Sequence, residues 1–484
     1  MMSGKTLFLI QTPYFEGYGS TRSAAGTQFP IGLGYIAAYV KAHGYTVRFF
    51  DPNVQPITTE DIARLVEEEL PFLVGISFMT PWFFAAKELC RLIKNFSPRT
   101  PIVVGGIHPS VMPRQTIQDI PSVDFLIMGE GEETILELMN ALSAREKNWR
   151  KIKGLVWRNN DEIIFNDLRK PIHDIDILPF PDFTIIDQSL YRLPSFFNHF
   201  ERYAMIHTSR GCPGRCIFCC SGHRLRTPVR KRSISNVMRE IDFLRKHYDI
   251  EYLLIRDDTF TLKESRTRAF CDALAYRHPN LKWNCMGRVN SVNYELLAYM
   301  KEAGLHDIYY GIESGNDDIL HHSRKGITTG QSRRAVEDAA RLGIAVVGAF
   351  IIGLPNETPK TVEETIRFAC SLPLTMALFA LLMPYPGTKI FEDYCEFDPD
   401  IPIDFSKFIH TTGISVIDEY KGLNGLPIDR LPDLVAEAQR RFYIRPGQVL
   451  RMLRHLNLSM LRGYGRGFIG FLSKEFTRRA TRSD

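Results

Sequence analysis

Three cysteines in one short run carry the strongest chemical signal in this 484-residue chain. Gly211-Cys212-Pro213-Gly214-Arg215-Cys216-Ile217-Phe218-Cys219 sets its thiols apart by three and then two residues. Glycine and proline make the run a loop, and such a loop can wrap a cubane so that three thiolates reach three irons and the fourth iron stays open. Soft thiolates suit iron–sulfur clusters or zinc. A structural zinc needs a fourth protein ligand, and Cys220 and His223 are close enough in sequence to keep that alternative open. Cys90, Cys271, Cys285, Cys370 and Cys395 fall in apolar stretches and read as packing residues.

The loop must be held by regular elements, and the sequence predicts two βα series. In the first, apolar strand-like runs at 7–11, 46–51, 73–78, 102–106 and 125–128 alternate with helical patterns at 34–43, 59–69, 82–95 and 132–145. That alternation implies a parallel sheet covered on both faces, with its ligand beyond the carboxyl ends of the strands. This edge carries Thr12, Ser77, Gly105-Gly106 with His108, and Gly129-Glu130-Gly131-Glu132. A hairpin around Asn159-Asn160 and a Pro- and Asp-rich connection at 171–182 follow. The second series has strands at 203–208, 252–257, 282–288, 307–313, 346–353 and 375–382, separated by helices. Six strands in strict alternation suggest a barrel or partial barrel with its site at the strands' carboxyl ends, just where the cysteine loop follows the first strand. The expected division is 1–145, 146–200, 201–400 and a helical 401–484.

Composition narrows the function classes. Sixty basic and 55 acidic residues leave a net charge of +5, too balanced to argue for a nucleic-acid partner. The apolar and charged fractions, 44% and 24%, are those of an ordinary soluble globular protein. The odd count of nine cysteines argues against a disulfide framework. No secretory pattern opens the chain and no apolar run is long enough to span a bilayer, so the expectation is a cytoplasmic protein.

The CxxxCxxC loop after the first strand of the second series, with Phe218 before its third cysteine, resembles the radical S-adenosylmethionine (SAM) superfamily. The resemblance implies a [4Fe–4S] cluster on Cys212, Cys216 and Cys219, SAM on the open iron, and a 5′-deoxyadenosyl radical formed by reductive cleavage. It also implies SAM contacts from Phe218, Asp257, Arg288, Glu313, Ser314 and Gly353. Each of these alone also fits a barrel-mouth ion pair or turn; their order after the cysteine loop is what carries the likeness.

A doubly wound domain ahead of such a barrel resembles the cobalamin-dependent branch of that superfamily. By that resemblance the fold is α/β: an N-terminal Rossmann-like cobalamin-binding domain, a partial (β/α)6 barrel and a helical C-terminal region. Thr12, Ser77, Gly105, Gly106, His108, Gly129, Glu130, Gly131 and Glu132 are the corresponding cobalamin contacts. The loop Gln11-Thr12-Pro13-Tyr14-Phe15-Glu16-Gly17 lacks the Asp-x-His-x-x-Gly histidine that supplies a lower cobalt ligand in many cobalamin proteins. His108 has two readings, one facing the corrin and one as a hydrogen-bonded structural residue, the second favoured.

The resemblance implies methyl transfer to an unactivated carbon or phosphorus centre, with oxidative cyclisation or rearrangement without methyl transfer as the alternative. It also implies a small-molecule or lipid-like substrate and an external one-electron donor such as flavodoxin or ferredoxin. No residue is singled out as catalytic. From Arg445 onward, apolar residues at helical spacing alternate with arginines. Such a helix can lie on an anionic membrane surface, but packing on the barrel is the favoured expectation.

Overall fold

The computed structural model describes residues 5–14, 26–145, 148–160, 162–193, 200–397 and 430–449, with 404, 405, 408 and 426 between the last two blocks. The first sheet has seven strands: β1 (Thr6–Gln11), β2 (Thr46–Phe50), β3 (Leu73–Ser77), β4 (Ile102–Gly105), β5 (Phe125–Ile127), β6 (Leu155–Asn159) and β7 (Glu162–Phe165). Their order is β2-β1-β3-β4-β5-β6-β7. The first five are parallel; β1, β3, β4 and β5 are buried on both faces, as their unbroken apolar runs require, while the edge strand β2 exposes Thr46 and Arg48. The order reverses between β1 and β3, which opens a crevice at the carboxyl ends of the strands.

Two features of this half differ from the sequence expectation. The helix expected from residue 34 begins earlier, as Ile31–Ala42. Gly34 sits inside it because the Phe29 ring presses on that point; a Cβ there would lie 2.7 Å from the ring. The glycine therefore serves close packing instead of ending the helix. The hairpin β6–β7, expected between the two series, continues the first sheet, with Phe125 of β5 in register with Trp157. Its turn places Asn160 at a φ of 55°, a conformation asparagine tolerates.

The second sheet runs β15-β14-β13-β12-β11-β8, all parallel. Its members are β8 (Tyr203–Ile206), β11 (Tyr252–Ile255), β12 (Lys282–Gly287), β13 (Leu305–Glu313), β14 (Ala345–Ile352) and β15 (Met376–Leu381). The two-residue strands β9 (Ser209–Arg210) and β10 (Arg230–Lys231) pair separately. Because β8 and β15 do not pair, the sheet is an open, partial barrel. Along β15 the burial alternates with period two. Phe379 is buried beneath Phe442 of the helix Leu431–Tyr443, while Leu378 faces the barrel lumen with 37% of its surface exposed.

That helix covers the outer side of β15: Tyr443 donates to the Ala377 carbonyl at 2.8 Å, and Arg441 pairs with Glu363. The basic amphipathic run expected from residue 445 is described only to 449, where Gln448 donates to the Thr375 carbonyl at 2.8 Å; Leu450 onward lies outside the described residues. Among the described residues no helix is long and apolar enough to cross a membrane. The connection at 171–193 is packed into the seam between the sheets. Phe29 and Phe183 rings meet at 5.2 Å, and the Tyr191 hydroxyl donates to Asp51 at 2.9 Å. One apolar cluster thus runs unbroken from Leu7 of β1 to Phe350 of β14.

Candidate active site

The cysteine loop is anchored by a carboxylate on the neighbouring strand. β8 ends at Ile206, shorter than expected, because Thr208 and Ser209 give both their N–H and hydroxyl groups to Asp257 at 2.5–3.0 Å. Asp257 is 1% exposed, and four donors to a buried carboxylate make the strand-to-loop junction rigid. The turn that follows needs Gly211, at a φ of 93°, where a Cβ would lie 2.9 Å from the Pro228 carbonyl.

Within the loop two thiols face a common cradle. A Cβ on Gly214 would lie 3.3 Å from Cys212 Sγ, 3.8 Å from Cys216 Sγ and 3.4 Å from Arg288 Nη1. Cys219 closes a tight turn by donating its N–H to the Cys216 carbonyl at 3.2 Å. Burial pushes the Cys216 thiol up, opposed by the nearby Lys325 and Arg288. Cys220 points away and donates its thiol to the Pro386 carbonyl at 3.3 Å. His223 Nε2 lies 2.7 Å from Glu392 and is engaged there. Among the described residues no three His, Cys, Asp or Glu side chains converge as ligands of a single ion. The donor set and its glycine cradle therefore fit a cluster spread over three thiols, and the zinc alternative loses both of its candidate fourth ligands.

The residues expected around SAM divide into two groups. Arg288 donates to the Lys325 carbonyl at 2.6 Å and borders the cradle; Lys325 pairs with Glu313 at 2.7 Å and its Nζ stands 6.0 Å from the Phe218 ring. Glu313 is held at a φ of 68°, costly for a residue with a side chain. These four side chains lie beside the thiols. Asp257, Ser314 and Gly353 act behind them. Asp257 is saturated by the loop, so its expected role as a direct ligand contact is replaced by one of anchoring. Ser314 is buried against Thr365 at 3.0 Å. Gly353, at a φ of 100°, donates to Glu357 at 2.6 Å. Burial pushes the Glu357 carboxyl up to about 7, against the two N–H groups of Gly353 and Leu354.

A cavity of about 390 Å³ lies between the two sheets. Its first wall comes from the ends of β3–β5 and the loops after them: Ser77, Gly105, Gly106, Gly129 and Glu130 to Glu132. Gly106, at a φ of 104°, has the Phe78 carbonyl 2.6 Å from where a Cβ would stand. The opposite wall belongs to the barrel: His207, Ser209, Arg210, Gly211, Arg256 and Asp258. Glycines on one side, apolar side chains of Leu33, Ile36 and Ile135 behind them, and polar groups opposite suit a large planar ring with a polar rim.

Two of the expected cobalamin contacts lie outside this cavity. Thr12 is fully buried and donates to the Ser77 carbonyl at 2.9 Å. His108 is buried among Phe78, Phe83 and Phe405, with its Nδ1 2.9 Å from Thr80 Oγ1. Burial lowers its pKa to about 3, so it is a neutral structural histidine. Glu130 and Glu132 line the wall, but their carboxylates are engaged: Glu130 with Arg210 at 3.2 Å and Arg230 at 2.9 Å, Glu132 with Arg210 at 2.7 Å. Burial works to raise the Glu130 pKa, yet Arg230, Arg210 and the Ile172 N–H hold it below the usual carboxylate value. Sequence reasoning missed His207, Arg210, Arg256 and Lys325. The position of Arg210 directly before the loop was the one available signal; nothing local marks Lys325.

Residues 20–139 match the model of the B12 binding domain, and residues 206–369 match that of the radical SAM superfamily. An uncharacterized methyltransferase of Pyrococcus horikoshii is 31% identical over 422 residues, 87% of this chain and 89% of the relative. The chain belongs to the B12-binding radical SAM enzymes. Another family member, the anaerobic magnesium-protoporphyrin IX monomethyl ester cyclase of Cereibacter sphaeroides, is 29% identical over 87% of this chain and 68% of its own length. In fold, the chain is similar to a radical SAM methyltransferase from Kitasatospora setae solved with cobalamin and a [4Fe–4S] cluster. The TM-score is 0.68 at 17% identity, over 94% of this chain and 90% of that one. Membership in this enzyme family gives the chain its cofactors, cobalamin for the B12 binding domain and a [4Fe–4S] cluster with SAM for the radical SAM domain.

Proposed function

We propose that this enzyme transfers a methyl group to an unactivated carbon or phosphorus centre of a small molecule. One observation carries the reading: the glycine edge of the first sheet and the base of the cysteine loop open on the same cavity. When bound, a cluster with SAM supplies hydrogen-atom abstraction, and a corrin supplies the methyl group. Cys212, Cys216 and Cys219 would hold the cluster. Arg288 would meet the SAM carboxylate, the Glu313–Lys325 pair would flank its polar end, and Phe218 would pack near the adenine. Ser77, Gly105, Gly106, Gly129 and Gly131 would let the corrin approach the backbone, with Glu130 and Glu132 fixing that wall to Arg210. Asp257 keeps the loop in place without touching a ligand. An external low-potential one-electron donor, of the flavodoxin or ferredoxin class, completes the reading.

The relative that is a cyclase favours a second reading, oxidative cyclisation without methyl transfer. SAM labelled in its methyl group separates the two once a substrate is in hand. Label in a substrate-derived product supports methyl transfer. An unlabelled, oxidised product formed with one 5′-deoxyadenosine per turnover supports cyclisation.

A further inference from the structure

Arg256 is the one residue of its strand's lumen face that carries a permanent positive charge, and it is poorly compensated. Along β11 the side chains of Tyr252 and Leu254 point to the lumen by strand alternation, and Arg256, directly after the strand, reaches the cavity. Among the described residues its guanidinium has one hydrogen-bond partner, the side-chain Oδ1 of Asn284, at 3.3 Å. Among the described residues no carboxylate oxygen lies within 4.0 Å of it. Asp307, whose charge acts on Arg256, is taken up by Tyr252, by Asn284 at 3.0 Å and by His306 at 3.0 Å. Burial depresses the Arg256 pKa, opposed by Tyr252 and Asp307. A half-buried guanidinium with five donors and one neutral partner is costly.

The surrounding lumen is two-sided. Tyr309 of β13 lies one strand beyond Met286 in the same register row, and burial raises its pKa, opposed by the positive charge of Arg256. His207 follows Ile206, whose carbonyl receives the Arg256 N–H at 3.0 Å, and it lines the same cavity. Across the lumen the row continues through Val347 and Met376, and the next inward positions are Ala349 and the exposed Leu378. One side therefore offers hydrogen-bond donors and the other a bare apolar wall.

We infer that Arg256, with Tyr309 and His207 beside it, receives the carboxylate or phosphate of an amphipathic substrate whose apolar body lies along β14 and β15. The inference rests on the reading that the lumen holds the substrate of this enzyme. It makes Arg256 a specificity-determining residue and places the anionic end deep in the barrel, below the level of Asp258 and the cysteine loop.

The test is calorimetric titration of the full-length chain, loaded with cluster and cobalamin but without SAM, with n-octanoate, n-octyl phosphate and n-octanol. At least one anionic probe should bind about tenfold or more tightly than the alcohol. Arg256→Gln should remove that preference, and Tyr309→Phe should weaken it by about threefold, both with iron and cobalt contents unchanged. No preference for the anions in the unaltered enzyme overturns the inference. So does full anion affinity in Arg256→Gln, and so does loss of cobalt from that variant, which would assign the guanidinium to the corrin's own phosphate or amides. Should Arg256→Gln not fold, Tyr309→Phe decides, and unchanged anion affinity there overturns the inference. Because binding is read without turnover, failure of methyl transfer and failure of this inference remain separate results.

Discussion

Arg210 and Glu132 meet at 2.7 Å across the seam between the two sheets. Arg210 directly precedes the cysteine loop, and Glu132 opens a helix directly after the Gly129 turn. The same guanidinium contacts Glu130 and lies 4.9 Å over the Tyr35 ring. One side chain thus ties the cluster loop to the corrin-facing edge, and it does so in a partly buried place where an unpaired charge is expensive.

Replacing Arg210 with Met is therefore expected to lower stability by about 3 kcal/mol, since it strands the nearly buried Glu132 carboxylate. Denaturant unfolding should show the first transition moving to lower concentration. Cobalt retained after desalting should fall in the same variant, and unchanged retention would mean that the wall holds its shape without this contact.

Asp257 accepts four hydrogen bonds from Thr208 and Ser209. Asp257→Asn turns one acceptor into a donor facing donors, at a cost of about 1–3 kcal/mol. Iron bound after anaerobic reconstitution should drop, although no thiol has been touched. Asp258→Asn, changing a side chain that faces the open cavity, should leave the iron content as it was.

The thiols should separate cleanly. Cys212→Ser, Cys216→Ser and Cys219→Ser are each expected to abolish the visible cluster absorbance. Cys220→Ser should retain it, because that thiol is turned to the Pro386 carbonyl. A loss in Cys220→Ser equal to the others would make Cys220 a ligand.

Glu357 gives a pH dependence whose sign can be fixed. Its carboxyl is raised from 4.5 to about 7 in the folded chain by burial. The folded state then binds more protons than the unfolded one between those values, so this group costs nothing below pH 4.5 and an increasing amount as pH rises to 7. At pH 8 the cost is about 3 kcal/mol. Glu357→Gln, which keeps an acceptor for Gly353 and Leu354, should be more stable than the unaltered enzyme at pH 8 and indistinguishable from it near pH 4.5. Thermal unfolding across that range measures the difference.

Much of this was legible in the chain. The cysteine spacing points to its own chemistry, because three cysteines within eight residues need no tertiary contact to be recognised. Strand and helix alternation likewise states the two sheets, since burial on both faces leaves an unbroken apolar run. The limits came from pairings between residues far apart in sequence. Asp257 and Asp258 look alike in the sequence, yet just past the end of β11 one turns to the loop and the other to the cavity. Glu130 and Glu132 read as ligand contacts until Arg210 and Arg230, 78 to 100 residues later, arrive to neutralise them. His108 sits in a glycine-rich edge but is folded back among three phenylalanines, one of them Phe405, nearly 300 residues away.

The central claim is that one chain presents a cluster loop and a corrin site to a single cavity. Anaerobic reconstitution with iron, sulfide and hydroxocobalamin, followed by desalting and metal analysis, tests it directly. About four irons and about one cobalt per chain are expected, with cobalt falling in Gly106→Val, whose side chain would collide with the Phe78 carbonyl. Four irons with no retained cobalt would contradict the account of the first sheet and leave the cavity to another ligand.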